Sequence, residues 1–142
     1  MGLLQAGLTG ITMATSKTHK NIKILIVDDF DTTRKIIRNM LRDEGYENTV
    51  EARDGKLALQ VLRKEKVELI ISDWAMPNMD GLTFLKTVRS TPEFQNIPFI
   101  MVTAEAEKDN IINAIKAKVT QYIIKPFTAE NLYDKVRISM GQ

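Results

Sequence analysis

From Asn21 onward, short β-rich apolar runs alternate with longer segments whose apolar residues recur at helical spacing, and this beat restricts the fold more than any other feature. The runs are Ile24-Leu25-Ile26-Val27, Leu69-Ile70-Ile71, Phe99-Ile100-Met101-Val102 and Tyr122-Ile123-Ile124, with a weaker one around Thr49-Val50. They are continuously apolar rather than alternating, which suits strands covered on both faces of a parallel sheet. Between them lie the stripes Ile36, Ile37, Met40, Leu41; Leu57, Ala58, Val61, Leu62; Leu82, Leu85, Val88; Ile111, Ile112, Ile115; and Leu132, Val136. Each predicts a helix with one apolar side, and the Ile111, Ile112, Ile115 stripe reads as core. Asp31 or Thr32 reads as the N-cap of the first helix and Gly45 as its stop. The pattern predicts an α/β, doubly wound (βα)5 fold of flavodoxin type. Short right-handed crossovers favour a five-stranded parallel sheet of order 2-1-3-4-5.

Composition narrows the function. A chain of 142 residues suits one domain, read here as residues 21–142 behind a flexible N-terminal extension at 1–20. The absence of cysteine excludes disulfides, thiolate metal sites and a cysteine nucleophile, and the single histidine, His19, falls in the extension. With 20 basic and 18 acidic residues the charge is too balanced for a chain that coats nucleic acid, and no DNA-binding helix-turn-helix pattern is present. No apolar run approaches the ~20 residues that span a bilayer. Gly2, Gly7 and Gly10 interrupt the mildly apolar start, no basic region precedes it, and Ala6 stands where a myristoylation signal needs Ser or Thr. The expectation is a cytoplasmic monomer with neither a nucleic-acid partner nor membrane insertion.

The function signal lies at the strand ends, where ligands of open α/β sheets bind. Strand 1 ends in Asp28-Asp29, strand 3 in Ser72-Asp73, strand 4 in Thr103 and strand 5 in Lys125-Pro126. The topology brings these distant residues to one sheet edge. Three clustered carboxylates must share a proton or bind a cation, and all-oxygen donors suit Mg²⁺, or Mn²⁺, over Zn²⁺. Lys125 and Thr103 add an ammonium and a hydroxyl, the groups that phosphoryl oxygens take. Asp73, the most central carboxylate, becomes a candidate nucleophile that would form an aspartyl phosphate. The sequence has neither G-x-x-x-x-G-K-[ST] nor G-x-G-x-x-G, so the phosphoryl group is expected on another molecule rather than on bound ATP.

These residues stand in recognisable motifs: Ile26-Val27-Asp28-Asp29, Ser72-Asp73-Trp74-Ala75-Met76-Pro77-Asn78-Met79-Asp80-Gly81, Val102-Thr103-Ala104-Glu105 and Tyr122-Ile123-Ile124-Lys125-Pro126-Phe127. Together they resemble the receiver domain of two-component response regulators, most closely the CheY-type chemotaxis regulators, from about Lys23 to Val136. The resemblance implies that Asp73 is the phosphoacceptor, taking its phosphoryl group from the phosphohistidine of a CheA-like sensor histidine kinase. Asp28, Asp29, Asp73 and the backbone carbonyl of Ala75 would hold Mg²⁺, and Lys125 and Thr103 would contact the phosphoryl group. Tyr122 would turn inward as Thr103 moves, reshaping the face of helix 4, strand 5 and helix 5 that binds the flagellar motor switch in the chemotaxis branch. Members of the family tend to hold a cis peptide at the position of Lys125-Pro126. Ala75 and Glu105 occupy the positions that tune phosphoryl lifetime. Ala75 departs from the frequent Asn, and Ala117-Lys118-Val119-Thr120 departs from the Gly-Ala that usually ends helix 4.

Taken alone, several of these residues read more plainly. Tyr122 is a half-buried strand aromatic, Trp74 packs beside the site, and Asp80-Gly81 is turn chemistry with a positive φ at Gly81. Arg34, Lys35, Arg38 and Arg42 read as a solvated helix face. Two other functions stay open: a receiver cut from a longer regulator, or an Mg²⁺-dependent aspartyl-phosphate phosphatase. The phosphatase wants an Asp two residues after the nucleophile, where Ala75 stands. The expected protein is a phosphorylation switch and not a turnover enzyme.

Overall fold

The structure, a computed structural model, describes residues 20–104 and 108–142. Five strands alternate with five helices: β1 (Ile24–Val27), α1 (Asp31–Asp43), β2 (Thr49–Ala52), α2 (Gly55–Lys64), β3 (Leu69–Asp73), α3 (Gly81–Ser90), β4 (Phe99–Thr103), α4 (Lys108–Lys116), β5 (Gln121–Ile124) and α5 (Ala129–Ser139). All pairings are parallel and the strand order is β2-β1-β3-β4-β5, as the alternation predicts.

The apolar strands divide their side chains between two cores. Ile24, Ile26, Leu69 and Ile71 face one layer, formed by Ile37 and Leu41 of α1 with Leu132 and Val136 of α5. Leu25, Val27, Ile70 and Met101 face the other, formed by Ala58 and Leu62 of α2 with Phe84, Leu85 and Val88 of α3. With helices on both sides, every residue of β1, β3 and β4 is buried, while the edge strands β2 and β5 are only partly covered.

The element ends correct some expectations. The N-cap of α1 is Phe30, which has no side-chain cap; Asp31 is already helical. The Asp28 carboxylate, which could only cap from outside the helix, instead takes the Phe30 N–H at 2.9 Å. Gly45 does stop α1: at φ +99° it closes a Schellman motif, with Tyr46 N–H on the Leu41 carbonyl and Gly45 N–H on that of Arg42. The Ile111, Ile112, Ile115 stripe is not core. Ala114 is the buried residue of α4, and Ile115 is 63% exposed. The contrast has a simple cause: α4 turns its smallest side chain, Ala114, inward and leaves the isoleucines at the rim. Residues 1–19, including most of the extension expected at 1–20, lie outside the described residues, as does Glu105. Among the described residues, no helix is long and apolar enough to cross a membrane.

Candidate functional site

Parallel register places the polar strand ends side by side. Asp73 closes β3 opposite Val102, Thr103 closes β4 opposite Ile124, and Asp28 follows the last residue of β1. Carboxylate oxygens of Asp28, Asp29 and Asp73 lie within 4.8 Å of one another. Lys125 follows β5 directly, and its Nζ stands 3.5 Å from both Asp28 Oδ2 and Asp73 Oδ1. Its backbone N–H continues the ladder onto the Thr103 carbonyl at 2.8 Å, and the Lys125-Pro126 peptide is cis. The structure thus brings together the carboxylates of Asp28, Asp29 and Asp73 and the Lys125 ammonium, while Thr103 joins them through its backbone carbonyl.

Each carboxylate is held differently. Asp28 is almost fully buried, with Oδ1 accepting from Phe30 N–H. Asp73 Oδ1 accepts from Trp74 N–H at 2.8 Å. Asp29 Oδ1 is buried with no hydrogen-bond partner among the described residues. A buried, unpaired carboxylate oxygen is costly, and a cation is the partner that three adjacent carboxylates attract. Burial raises the pKa of Asp73 above the ordinary carboxylate value; Lys125 pulls it down, Asp28 pushes it up, and the Trp74 bond lowers it, with burial prevailing. The donor set is all oxygen, which fits Mg²⁺.

The loop after β3 completes the rim. Gly81 opens α3, and its N–H bonds the Trp74 carbonyl at 2.7 Å. The expected positive φ belongs not to Gly81 but to Asn78, at +67°. Asn78 donates to Asp54 Oδ2 at 2.9 Å, and the other oxygen of Asp54 caps α2 through Leu57 N–H. Asp80 caps α3 through Thr83 N–H, so this acid does serve the turn. Ala75 is exposed in the same loop, and Tyr122 is half-buried on β5, packed against the layer of α2 and α3. Thr103 is buried.

The sequence matches the response regulator receiver domain over residues 24–137. The chain belongs to this receiver family. It is 49% identical over 118 residues to chemotaxis protein CheY-3 of Vibrio cholerae serotype O1, covering 83% of this chain and 91% of that protein. It is 49% identical over 115 residues to chemotaxis protein CheY of Pseudomonas aeruginosa, covering 81% and 93%. Among solved structures it resembles chemotaxis response regulator CheY4 of Vibrio cholerae, with a TM-score of 0.77, 33% identity and coverage of 84% and 98%. It also resembles the receiver domain of a sensor histidine kinase from Pseudomonas aeruginosa PAO1, with a magnesium ion coordinated in the active-site cleft, at TM-score 0.78, 26% identity and coverage of 86% and 99%. Receiver domains are phosphorylation-activated signalling switches that bind Mg²⁺ through an acidic pocket and interact with histidine kinases and output targets, and this receiver has such a pocket.

Sequence reasoning missed two supports of the site. Asp54 and Asn78 tie the loop after β3 to α2, and Asp54-Gly55 before an apolar stripe is an N-cap signature that carries this signal. Arg34 was assigned to a solvated face, yet it is buried: Nη1 donates to the Asp28 carbonyl at 2.7 Å and Nε to Glu51 at 3.0 Å, and Nη2 pairs with Asp31. Arg38 also pairs with Glu51. The Asp31/Arg34 spacing was legible; the acid waiting on β2 was not.

Proposed function

We propose that this chain is a chemotaxis-type response regulator in which Asp73 accepts a phosphoryl group from the phosphohistidine of a CheA-like histidine kinase. An Asp73 oxygen attacks phosphorus in line, the new P–O bond forms as the P–N bond breaks, and the imidazole leaves. The observation that carries this reading is the placement of Lys125 Nζ 3.5 Å from both Asp28 and Asp73, beside a third carboxylate. Asp28, Asp29, Asp73 and the Ala75 carbonyl would hold Mg²⁺, or Mn²⁺, which when bound neutralises charge on the phosphoryl oxygens. Lys125 gives its ammonium to a phosphoryl oxygen, and Thr103 donates its hydroxyl to another. Lys125 leaves Asp73 for that oxygen, so the ion pair of the resting protein becomes a contact of the acylphosphate.

The output is binding rather than turnover. The face formed by α4, β5 and α5 carries exposed Ile112, Ile115 and Ile124, apolar area of the kind that marks a protein contact. Tyr122 lies on β5 of that face and Thr103 ends the neighbouring strand, so movement of the hydroxyl toward phosphate re-biases both. The two relatives named as chemotaxis proteins support a flagellar motor switch protein as the partner. Glu105 and Ala75 would tune phosphoryl lifetime. We read residues 21–142 as the receiver domain and the protein as a cytoplasmic monomer. An aspartyl-phosphate phosphatase lacks its acid at Ala75, and Asp31, two residues after Asp29, is 89% exposed and paired with Arg34.

Incubation with acetyl phosphate and Mg²⁺ tests the reading. Mass spectrometry is expected to show one added phosphoryl group on Asp73, with a change in Trp74 fluorescence. Beryllofluoride should enhance capture of a flagellar switch peptide, and Tyr122→Ala should remove the enhancement. Labelling that persists in Asp73→Asn would overturn the acceptor assignment, and equal capture in both states would overturn the motor assignment.

A further inference from the structure

We propose that Arg34 is a positioning residue for the cation site, acting through the peptide that joins Asp28 to Asp29; this rests on the reading of the acidic triad as a divalent-cation site. Arg34 stands in the first turn of α1, its guanidinium folds back toward β1, and its side chain is only 10% exposed. Its three nitrogens go to three places: the Asp28 carbonyl, Glu51 on β2 and Asp31 at the start of α1. Glu51 also pairs with Arg38, which does not touch the carbonyl, so Arg34 alone links β2 to the Asp28–Asp29 peptide through these contacts.

The target of that hydrogen bond gives it a role. The Asp28 carbonyl belongs to the peptide plane shared with the Asp29 N–H, so fixing the plane fixes the direction in which two successive side chains leave the backbone. Asp28 and Asp73 each have a backbone N–H on one carboxylate oxygen. Asp29 Oδ1 has no such partner, so its aim depends on the backbone that Arg34 holds. Partners that orient metal ligands typically contribute about 10–100-fold to metal affinity.

Charge and positioning make opposite demands here, which makes the proposal testable. A buried cation near three carboxylates repels Mg²⁺, so a purely electrostatic role predicts that neutralising Arg34 tightens binding. Positioning predicts that it weakens binding. Arg34→Met, Arg34→Lys and Arg38→Met are compared with the unaltered protein by calorimetric Mg²⁺ titration and by a separate titration read through Trp74 emission. Urea unfolding without Mg²⁺ identifies variants that remain folded. Arg34→Met is expected to weaken Mg²⁺ binding by about tenfold or more. Arg34→Lys, which keeps the charge and loses the fork, should weaken it also. Arg38→Met, which touches Glu51 but not the carbonyl, should leave it unchanged or tighter. The Asp29 amide resonance of the metal-free protein should shift in both Arg34 variants and not in Arg38→Met. If Arg34→Met does not fold, Arg34→Lys carries the same two readouts. Mg²⁺ affinity equal to or tighter than that of the unaltered protein in a folded Arg34 variant overturns the proposal. Absence of Mg²⁺ binding in the unaltered protein would instead overturn the cation site itself, and loss of that binding in Asp29→Asn distinguishes the two failures.

Discussion

Gly81 shows how one hydrogen atom in place of a side chain sets the active-site floor. A Cβ at this position would lie 2.2 Å from the Asp73 carbonyl oxygen and 2.8 Å from Trp74 Cα, and neither backbone atom can step aside without moving the proposed acceptor residue. The glycine is thus required by a close approach, since its φ is not in the left-handed region. Gly81→Ala is expected to destabilise the domain by at least about 1–3 kcal/mol, the range for overpacking a filled site. Because the clash falls on the backbone of the proposed acceptor, it should also slow acetyl phosphate labelling of Asp73. Urea denaturation and labelling kinetics check the two effects, and a variant with normal stability and labelling would contradict the close approach. The sequence marked this glycine as special but for the wrong reason: adjacency to Asp80 suggests a turn, whereas the contact with β3 is tertiary and leaves no local signature.

At the level of elements, two helices end in the same motif with different residues at its strained position. In α1 the left-handed residue is Gly45; in α4 it is Lys118, at φ +66°. The hydrogen bonds match: Val119 N–H reaches the Ala114 carbonyl at 3.0 Å and Lys118 N–H that of Ile115 at 2.9 Å. A lysine can be held there because Arg89 of α3 clasps the turn, donating to the carbonyls of Lys118, Gln95 and Ile97 and to the Thr120 hydroxyl. Lys118→Gly removes the Cβ strain and keeps every one of these bonds, since they involve only the backbone of residue 118. It should therefore stabilise the protein by up to about 1 kcal/mol, read as a higher urea midpoint at unchanged slope. A lower midpoint would mean that the lysine side chain stabilises the turn more than its backbone strain opposes it. The departure at Lys118 was visible in the sequence, but the Arg89 clasp was not, because it joins residues 29 apart through carbonyls that carry no identity. The same limit explains α4 itself. Its isoleucines have core-like spacing, yet the helix packs through Ala114, and only the packed molecule shows which side faces in.

For the molecule as a whole, topology was the most legible layer because a strand covered on both faces must be apolar along its length, as β1 is throughout and β3 and β4 are up to their polar ends Ser72-Asp73 and Thr103. Once the order β2-β1-β3-β4-β5 is set, Asp28, Asp73, Thr103 and Lys125 cannot avoid one another, so most of the site was legible with it. What the order does not reveal is the energetic tension of that meeting. Burial, helped by Asp28, raises the Asp73 pKa against the pull of Lys125 and the Trp74 bond. In the metal-free protein a raised pKa means that the folded state holds its proton more tightly than the unfolded chain does. The associated stability is fully present below the unfolded value of 3.8 and is lost as pH rises through the higher folded value. Asp73→Asn keeps the shape and removes the ionisation, so the variant should be the more stable of the two at neutral pH in the absence of Mg²⁺. That advantage should shrink as pH is lowered through the raised folded value, where the native acid also becomes neutral, and Mg²⁺ should reverse it by binding the ionised site selectively. Thermal unfolding of both proteins across this pH range, with and without Mg²⁺, measures the difference directly. An advantage independent of pH would assign it to packing rather than to charge. The proposed switch then has a physical basis: the folded domain carries a carboxylate that burial disfavours, and a cation and a phosphoryl group are the two ligands that would relieve it.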